Sequence, residues 1–131
     1  MVIDADHPPL AIVNARVWTA NPRRPWADGL AVRDGRLLVV GSAAEVRKVS
    51  AGARVIDAGG ALVVPGALGA LTADREAVGA GATLERGGAA DFVLLDRPLP
   101  DASPDSLGRA RVRLAVVGGR VRRDVDDRDA T

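Results

Sequence analysis

The side chains that most often carry out chemistry in proteins are sparse in this chain. Its 131 residues include one histidine, His7, and no cysteine, which excludes thiol nucleophiles, disulfides and cysteine-bound zinc. An open catalytic zinc site needs about three histidine or carboxylate ligands in fixed geometry, and His7 lies in a polar arm with no second histidine. Serine and threonine hydroxyls have no histidine nearby to activate them. We therefore predict no catalytic residue, no metal site and no cofactor.

A group of arginines near the C-terminus is the feature that most suggests a ligand. Arg111 and Arg113 alternate with apolar residues up to Val117, which predicts a strand with both guanidinium groups on one face. This Arg109–Arg123 face could bind an anion or nucleic acid. The alternative, which we favour because no aromatic residue is interleaved for stacking, is a solvated face. The other arginines near it in sequence are Arg109, Arg120, Arg122 and Arg123.

Two further patterns have structural explanations. The acidic run from Asp124 to Asp129 offers the oxygen ligands that Ca²⁺ prefers, but it lacks the glycine and the bidentate glutamate of an EF-hand loop. The glycine pairs at positions 59/60, 87/88 and 118/119 lack the spacing of phosphate-binding loops. We interpret the acidic run as a solvated tail and the three pairs as tight turns.

The elements that would position any site are short strands. Leu10 to Trp18 is predicted to be one strand with a bend at Asn14, and Asp34-Gly35 is the preferred dipeptide for a type I′ hairpin between flanking strands. Trp18 and Trp26 could form a binding platform; we favour the alternative that they close one end of a core.

A helix and a second turn follow in the sequence. Ser42 and Glu45 have the spacing of a capping box, which predicts a helix over Ala43 to Val49. Arg54 to Ala58 and Ala61 to Val64 flank a glycine pair and are predicted to form a hairpin that ends at Pro65-Gly66.

The C-terminal half is predicted from the same signals. Thr72 to Val78 has the capping and charge pattern of a helix. Gly81 to Asp96 is predicted to be a strand, a Gly87-Gly88 turn and a strand, of which Phe92 to Leu95 is apolar enough to be buried on both faces. Residues 97–106 are predicted to be a loop, and Arg111 to Arg123 a hairpin.

The run VIDAGGALVVPG (residues 55–66) resembles the last N-terminal strands before the catalytic barrel of the metal-dependent amidohydrolase superfamily. The run ATLERGGAADFVLLD (residues 82–96) resembles that family's C-terminal segment. In the family these two flanks form a composite β-sandwich, and the Pro-Gly leads to an H-x-H pair of metal ligands. Leu71 and Ala73 occupy the two positions of that pair here. A complete barrel takes roughly 250 residues, so the chain is too short to contain one.

The resemblance implies an all-β fold with minor helix: a composite β-sandwich standing without its barrel. We expect a flexible arm at 1–9, one domain at 10–123 built from segments 10–66 and 71–123, and a disordered tail at 124–131. The function expected is a non-catalytic accessory, interaction or vestigial module. The alternatives are a subunit completed by a barrel-bearing partner and the anion or nucleic-acid binder described above.

The expectations for partners and location come from the apolar content. A sandwich side left without its barrel would expose an apolar surface, which predicts a homodimer unless residues 67–78 cover it. Residues 1–20 carry charges and have no apolar core of a signal peptide, so we expect a cytoplasmic protein.

Overall fold

Ten strands in two sheets form the framework of the computed structural model, which describes residues 9–66 and 83–125. Sheet A has the strand order β5-β4-β1-β6, and sheet B has the order β10-β9-β8-β7-β2-β3. The all-β class with minor helix is confirmed. The strands are β1 Leu10–Val13, β2 Arg16–Trp18, β3 Trp26–Ala27, β4 Gly29–Arg33, β5 Arg36–Gly41, β6 Arg54–Asp57, β7 Leu62–Pro65, β8 Phe92–Leu95, β9 Val112–Val117 and β10 Arg120–Asp124.

The main hydrophobic core lies between the two sheets. Sheet A contributes Ile12 and Leu30, and sheet B contributes Val63, Phe92 and Leu114, all almost completely buried. β7 pairs antiparallel with β8, with Val63 opposite Leu94. The described segments before and after residues 67–82 therefore share one sheet and one core.

A second apolar cluster covers the outer face of sheet B. Val64, Val93 and Ala115 project there and are fully buried against Leu99 and Leu107. The residues that cover this face belong to the segment 99–110, which includes the one-turn helix α2, Pro104–Leu107. The sequence predicts a loop over residues 97–106, whereas Pro104–Leu107 forms one helical turn. Among the described residues the exposed large apolar side chains are Val49, Val55 and Val125. The expectation of an apolar side covered by residues 67–78 or by a second copy stays a prediction, because residues 67–78 lie outside the described part of the chain.

Helix α1, Ala43–Lys48, covers the outer face of sheet A. The predicted capping box is confirmed: the Glu45 backbone N–H donates to Ser42 Oγ at 3.2 Å, and the Ser42 N–H donates to Glu45 Oε1 at 3.0 Å. Val46 packs on Ala11 and Ala31, which are opposite each other in adjacent strands. Small side chains at these positions let the helix approach the sheet closely.

The segment Leu10 to Trp18 crosses from one sheet to the other. It divides at Asn14, whose φ of 53° is left-handed, so that β1 lies in sheet A and β2 in sheet B. The predicted bend is therefore a sheet crossing.

The predicted hairpin between β6 and β7 is wrong. β6 pairs parallel with β1, and β7 pairs parallel with β2. Gly59 and Gly60, both with positive φ, carry the chain from sheet A to sheet B instead of turning it back. The segment β1–β2 and the segment β6–β7 thus cross between the sheets side by side. Hydrogen bonds between strands distant in sequence decide this pairing.

The predicted strand before Gly87-Gly88 is also wrong for the described residues 83–91. Leu84 is buried in the main core, and its N–H donates to the Thr19 carbonyl at 2.9 Å. The Gly87 N–H donates to the Leu37 carbonyl, and the Leu37 N–H donates to the Gly88 carbonyl. This turn is therefore bonded to β5 and not to a partner strand of its own. The predicted helix over Thr72 to Val78 lies outside the described residues.

The two remaining hairpins are confirmed and contact each other. Asp34 and Gly35 join β4 to β5, and Gly118 and Gly119 join β9 to β10, all four with positive φ. A Cβ on Gly119 would lie 2.4 Å from the Gly35 Cα. The two turns therefore pack backbone against backbone.

Candidate interaction site

The arginine face predicted from the Arg111 to Val117 alternation does not form as expected. Val112 pairs with Leu95 and Leu114 with Leu94, which leaves Arg113 as an extra residue in a β-bulge. As a result Val112 lies in the cluster outside sheet B, whereas Leu114 lies in the core between the sheets. The simple alternation of arginine and apolar faces is therefore wrong.

The guanidinium groups of this region are spread along the sheet. Arg113 is half-buried and donates from Nη1 to the Asp57 carbonyl at 3.1 Å. Arg111 precedes β9, and Arg120 pairs with Val117 at its far end, so their backbones are roughly 20 Å apart at ~3.3 Å per residue. Arg122 is the extra residue of a second bulge in β10. The described arginines do not converge on one small ligand.

The first residue of the predicted acidic tail is part of the fold. Asp124 ends β10, and one of its carboxylate oxygens lies 2.6 Å from Arg54 Nη2. The Asp124 side chain is 8% exposed, and the ion pair joins the edge of sheet A to the edge of sheet B. The prediction that the disordered tail begins at Asp124 is wrong for this residue; residues 126–131 lie outside the described part.

The two tryptophans lie opposite each other at the β3 edge of sheet B. Trp18 pairs directly with Trp26, and both are half-buried against the outer cluster of sheet B. The Arg16 guanidinium carbon lies 4.2 Å from the centre of the Trp26 ring, which is cation–π geometry. The sequence favours tryptophans that close one end of a core, and both pack at the border of the apolar cluster outside sheet B. The arginine stacked on Trp26 has no signal in the sequence.

Asp101 lies in the segment 99–110, which covers the outer face of sheet B. It accepts hydrogen bonds from the Ser103 N–H at 3.0 Å and from Ser106 Oγ at 2.7 Å. These bonds to Ser103 and Ser106, with a smaller contribution from the Arg16 charge, lower the pKa of Asp101 from 3.8 to about 2. Asp101 is therefore an anion that organises the 99–110 segment. A sequence signal did exist: D-x-S-x-x-S has the spacing of a side-chain-capped turn.

Other carboxylates with shifted pKa values hold turns in the same way. The pKa of Asp57 is lowered by the Gly59 N–H and then by the Asn14 amide, and the pKa of Asp96 is lowered mainly by Arg97. The pKa of Glu45 is lowered mainly by the Ser42 N–H at the start of α1. Each of these groups is stabilised as an anion by local donors.

The prediction that the chain has no metal site involves some residues that the structure describes and some that it does not. His7, Leu71 and Ala73 lie outside the described residues. Within residues 9–66 and 83–125, no group of three or more histidine or carboxylate side chains is placed to hold a metal ion.

No protein-family model and no curated protein matches the chain. Among solved structures, it is similar to an uncharacterized metal-dependent hydrolase from Pyrococcus furiosus, with 26% identity over 44% of this chain and 13% of that chain and a TM-score of 0.41. A second such hydrolase, from Pyrococcus horikoshii OT3, shares 22% identity over 44% of this chain and 12% of that one, with a TM-score of 0.41. Enamidase, a member of the amidohydrolase superfamily, shares 31% identity over 45% of this chain and 16% of its own, with a TM-score of 0.39.

These matches are partial. The chain spans between 12% and 16% of the length of the solved structures to which it is similar. The amidohydrolase superfamily, which the two sequence runs above resemble, is also the superfamily named for enamidase. Along the stretches 9–66 and 83–125, no helix has the length and apolar character needed to cross a membrane.

Proposed function

We propose that this chain is a non-catalytic, amidohydrolase-like β-sandwich module that serves as an accessory, interaction or vestigial unit. The observation that carries the proposal is the composition of sheet B. Strands β10, β9 and β8 come from the segment after residue 83, and strands β7, β2 and β3 come from the segment before residue 66. The two sequence segments that resemble the family's flanks thus form one sandwich, joined by the β7–β8 pair.

The available side chains support a non-catalytic function. The sequence contains one histidine and no cysteine, while an open catalytic zinc site takes about three protein ligands. A general acid at neutral pH needs a carboxyl group with a raised pKa. The described carboxyl groups with resolved shifts, Glu45, Asp57, Asp96 and Asp101, all have lowered pKa values. Their hydrogen bonds fit a structural function in caps and turns.

The direct test is metal analysis and activity measurement on the same purified sample. The chain is washed with a chelator, dialysed and measured by inductively coupled plasma mass spectrometry, then assayed on amide, lactone and cyclic urea substrates with and without added Zn²⁺. We expect less than one tenth of an equivalent of bound transition metal and no turnover. Stoichiometric zinc or iron, or turnover that co-elutes with the protein, would overturn the proposal.

A second candidate function is that of a subunit completed by a barrel-bearing partner. The observation that favours it is the pairing of Pro65 with Phe92, together with the hydrogen bond from the Gly66 N–H to the Asp91 carbonyl at 3.2 Å. The chain therefore leaves and re-enters sheet B at adjacent points, where the family resemblance would put a barrel. Mixing the chain with a barrel-bearing amidohydrolase-like chain from the same source organism tests this candidate. Co-elution with a gain in hydrolysis supports it, and separate elution without a gain rules it out for that pair.

A further inference from the structure

Positive and negative charges near the C-terminal end of the chain are separated into two adjacent stretches of sequence. Residues 106–123 contain six arginines and no acidic residue, whereas residues 124–129 contain four aspartates and one arginine. The first of these aspartates, Asp124, forms an ion pair with Arg54 at 2.6 Å. The carboxylates at positions 126, 127 and 129 follow it within five residues and are thus available to the arginines of the first stretch.

Two arginines of the first stretch are exposed cations on a fixed backbone. Arg109 and Arg111 lie just before β9, and both residues are exposed. The Arg109 N–H donates to the Ser106 carbonyl at 3.0 Å, and the Arg111 N–H donates to Asp96 Oδ1 at 3.0 Å. Within residues 9–66 and 83–125, neither guanidinium group forms an ion pair. Both positive charges are therefore held in place but are not neutralised by the described residues.

The end of β10 leads the chain towards these arginines. β10 runs antiparallel to β9, with Asp124 opposite Leu114. The Val125 N–H donates to the Arg113 carbonyl at 3.0 Å, so the last described residue is bonded to β9 two positions from Arg111. Because the two strands are antiparallel, a chain that continues β10 beyond this bond passes the start of β9.

The length of the connection puts the aspartates within reach of both arginines. The same register carried two residues further sets Asp127 opposite Arg111, and opposite charges at facing positions of adjacent strands attract. Asp129 is four residues from Val125, a reach of at most about 14 Å, and Arg109 is equally far along the chain from the contact of Val125 with β9. A tether this short gives an effective concentration in the millimolar range, so a weak attraction is sufficient for docking.

We infer that the acidic segment 126–129 docks on Arg109 and Arg111 beside the start of β9. This inference goes beyond the proposed function, because it concerns a contact within one chain and holds for a module working alone or with a partner. It departs from the expectation of a disordered tail for these four residues. It also bears on the anion or nucleic-acid binder considered above, since an external polyanion would have to displace the segment to reach the two arginines.

Nuclear magnetic relaxation of the backbone amides tests the inference on the full, ¹⁵N-labelled chain. In dilute salt of about 0.01 M, where the Debye length is about 30 Å, we expect order parameters of about 0.85 for residues 126–129, as for rigid backbone. Arg109→Gln combined with Arg111→Gln should lower these values below about 0.6, as for a flexible chain. Arg23→Gln combined with Arg86→Gln is the matched control, because it removes the same charge from two other exposed arginines and should leave the order parameters unchanged.

A converse variant changes the docking segment alone. Asp127→Asn combined with Asp129→Asn should also release the segment, because it removes the charges that the arginines attract. The amide spectrum of the strands shows whether each variant is folded; if the arginine variant unfolds, the aspartate variant decides. Release of the segment in the folded charge variants but not in the control supports the inference.

Three results would overturn the inference. The first is a wild-type chain with order parameters below about 0.6 for residues 126–129; a shift of the Arg109 and Arg111 amides on addition of inorganic polyphosphate would then assign these arginines to an external anion. The second is a segment that stays rigid in every charge variant, because its order would not depend on these charges. The third is rigidity that appears only as the protein concentration is raised, because the docked segment would then belong to a second copy.

Discussion

Asn14 Nδ2 donates a hydrogen bond to Asp57 Oδ1 at 3.1 Å, and this contact joins the two places where the chain crosses between the sheets. The same Asp57 oxygen accepts the Gly59 N–H at 2.8 Å, and the Gly60 N–H donates to the Asn14 carbonyl at 2.7 Å. Arg113 adds a bond from β9 to the Asp57 carbonyl. The corner that connects sheet A to sheet B is therefore held by polar contacts, of which the Asn14–Asp57 bond joins residues 43 positions apart in sequence.

Asn14→Ala should destabilise the protein by about 2 kcal/mol. The substitution removes a hydrogen bond, which contributes about 0.5–1.5 kcal/mol, and it puts alanine at a φ of 53°, where the left-handed conformation costs about 1–2 kcal/mol. Asn14→Gly removes the same bond without that strain and should cost about 1 kcal/mol. Urea unfolding of both variants measures the difference. An alanine variant as stable as the glycine variant would show that backbone strain does not matter at this corner.

Gly119→Ala should lower the free energy of unfolding by about 1–3 kcal/mol more than Gly118→Ala does. Both glycines have positive φ, 80° and 59°, so the backbone strain of alanine is shared by the two variants. A Cβ at position 119 would lie 2.4 Å from the Gly35 Cα, whereas a Cβ at position 118 would meet nothing within 4 Å. The difference is therefore the overpacking penalty between two rigid turns. Equal midpoints of thermal unfolding for the two variants would contradict the contact between the hairpins.

Phe92→Ala should lower the free energy of unfolding by roughly 3–5 kcal/mol. The ring is fully buried between the sheets, and the cavity left by its removal would be bordered by residues from both sequence segments. Val55→Ala is the matched control, because Val55 is 53% exposed and its truncation should change stability by less than about 0.5 kcal/mol. A loss below about 1 kcal/mol for Phe92→Ala, measured by urea unfolding, would mean that β8 is not central to the core.

Asp101 should make stability depend on pH in the acidic range. Its pKa in the folded protein is about 2, below the usual 3.8, so the unfolded chain binds its proton at higher pH than the folded chain does. The stabilisation is complete above pH 4 and is lost as the pH falls from about 4 to about 2. Asp101→Asn should reduce the slope of the stability profile in this window and leave its slope at higher pH unchanged, because it removes the group whose lowered pKa produces the slope. An unchanged slope between pH 4 and pH 2 would contradict the bonds from Ser103 and Ser106.

Local signals in the sequence were sufficient for several elements. The hairpin at Asp34-Gly35 and the one at Gly118-Gly119 follow from residues that accept positive φ between two β-branched runs. The start of α1 follows from Ser42 and Glu45, whose reciprocal bonds span three residues. In each case the atoms that decide the conformation lie within a few residues of each other, so the sequence pattern carries the whole determinant.

Tertiary contacts decided the features that local patterns left open or predicted wrongly. Gly59-Gly60 has the same turn chemistry as Gly118-Gly119, yet it crosses between sheets because β6 and β7 find parallel partners in β1 and β2. Arg113 is bulged because of its register against β8, which no alternation within β9 reveals. Trp18, Trp26 and the apolar residues of the 99–110 segment share one cluster because that segment folds over sheet B. The composition and the family-like runs of sequence determined the class of fold. Strand partners distant in sequence determined which side chains share a surface, because hydrogen-bond ladders and core packing join residues whatever their separation along the chain.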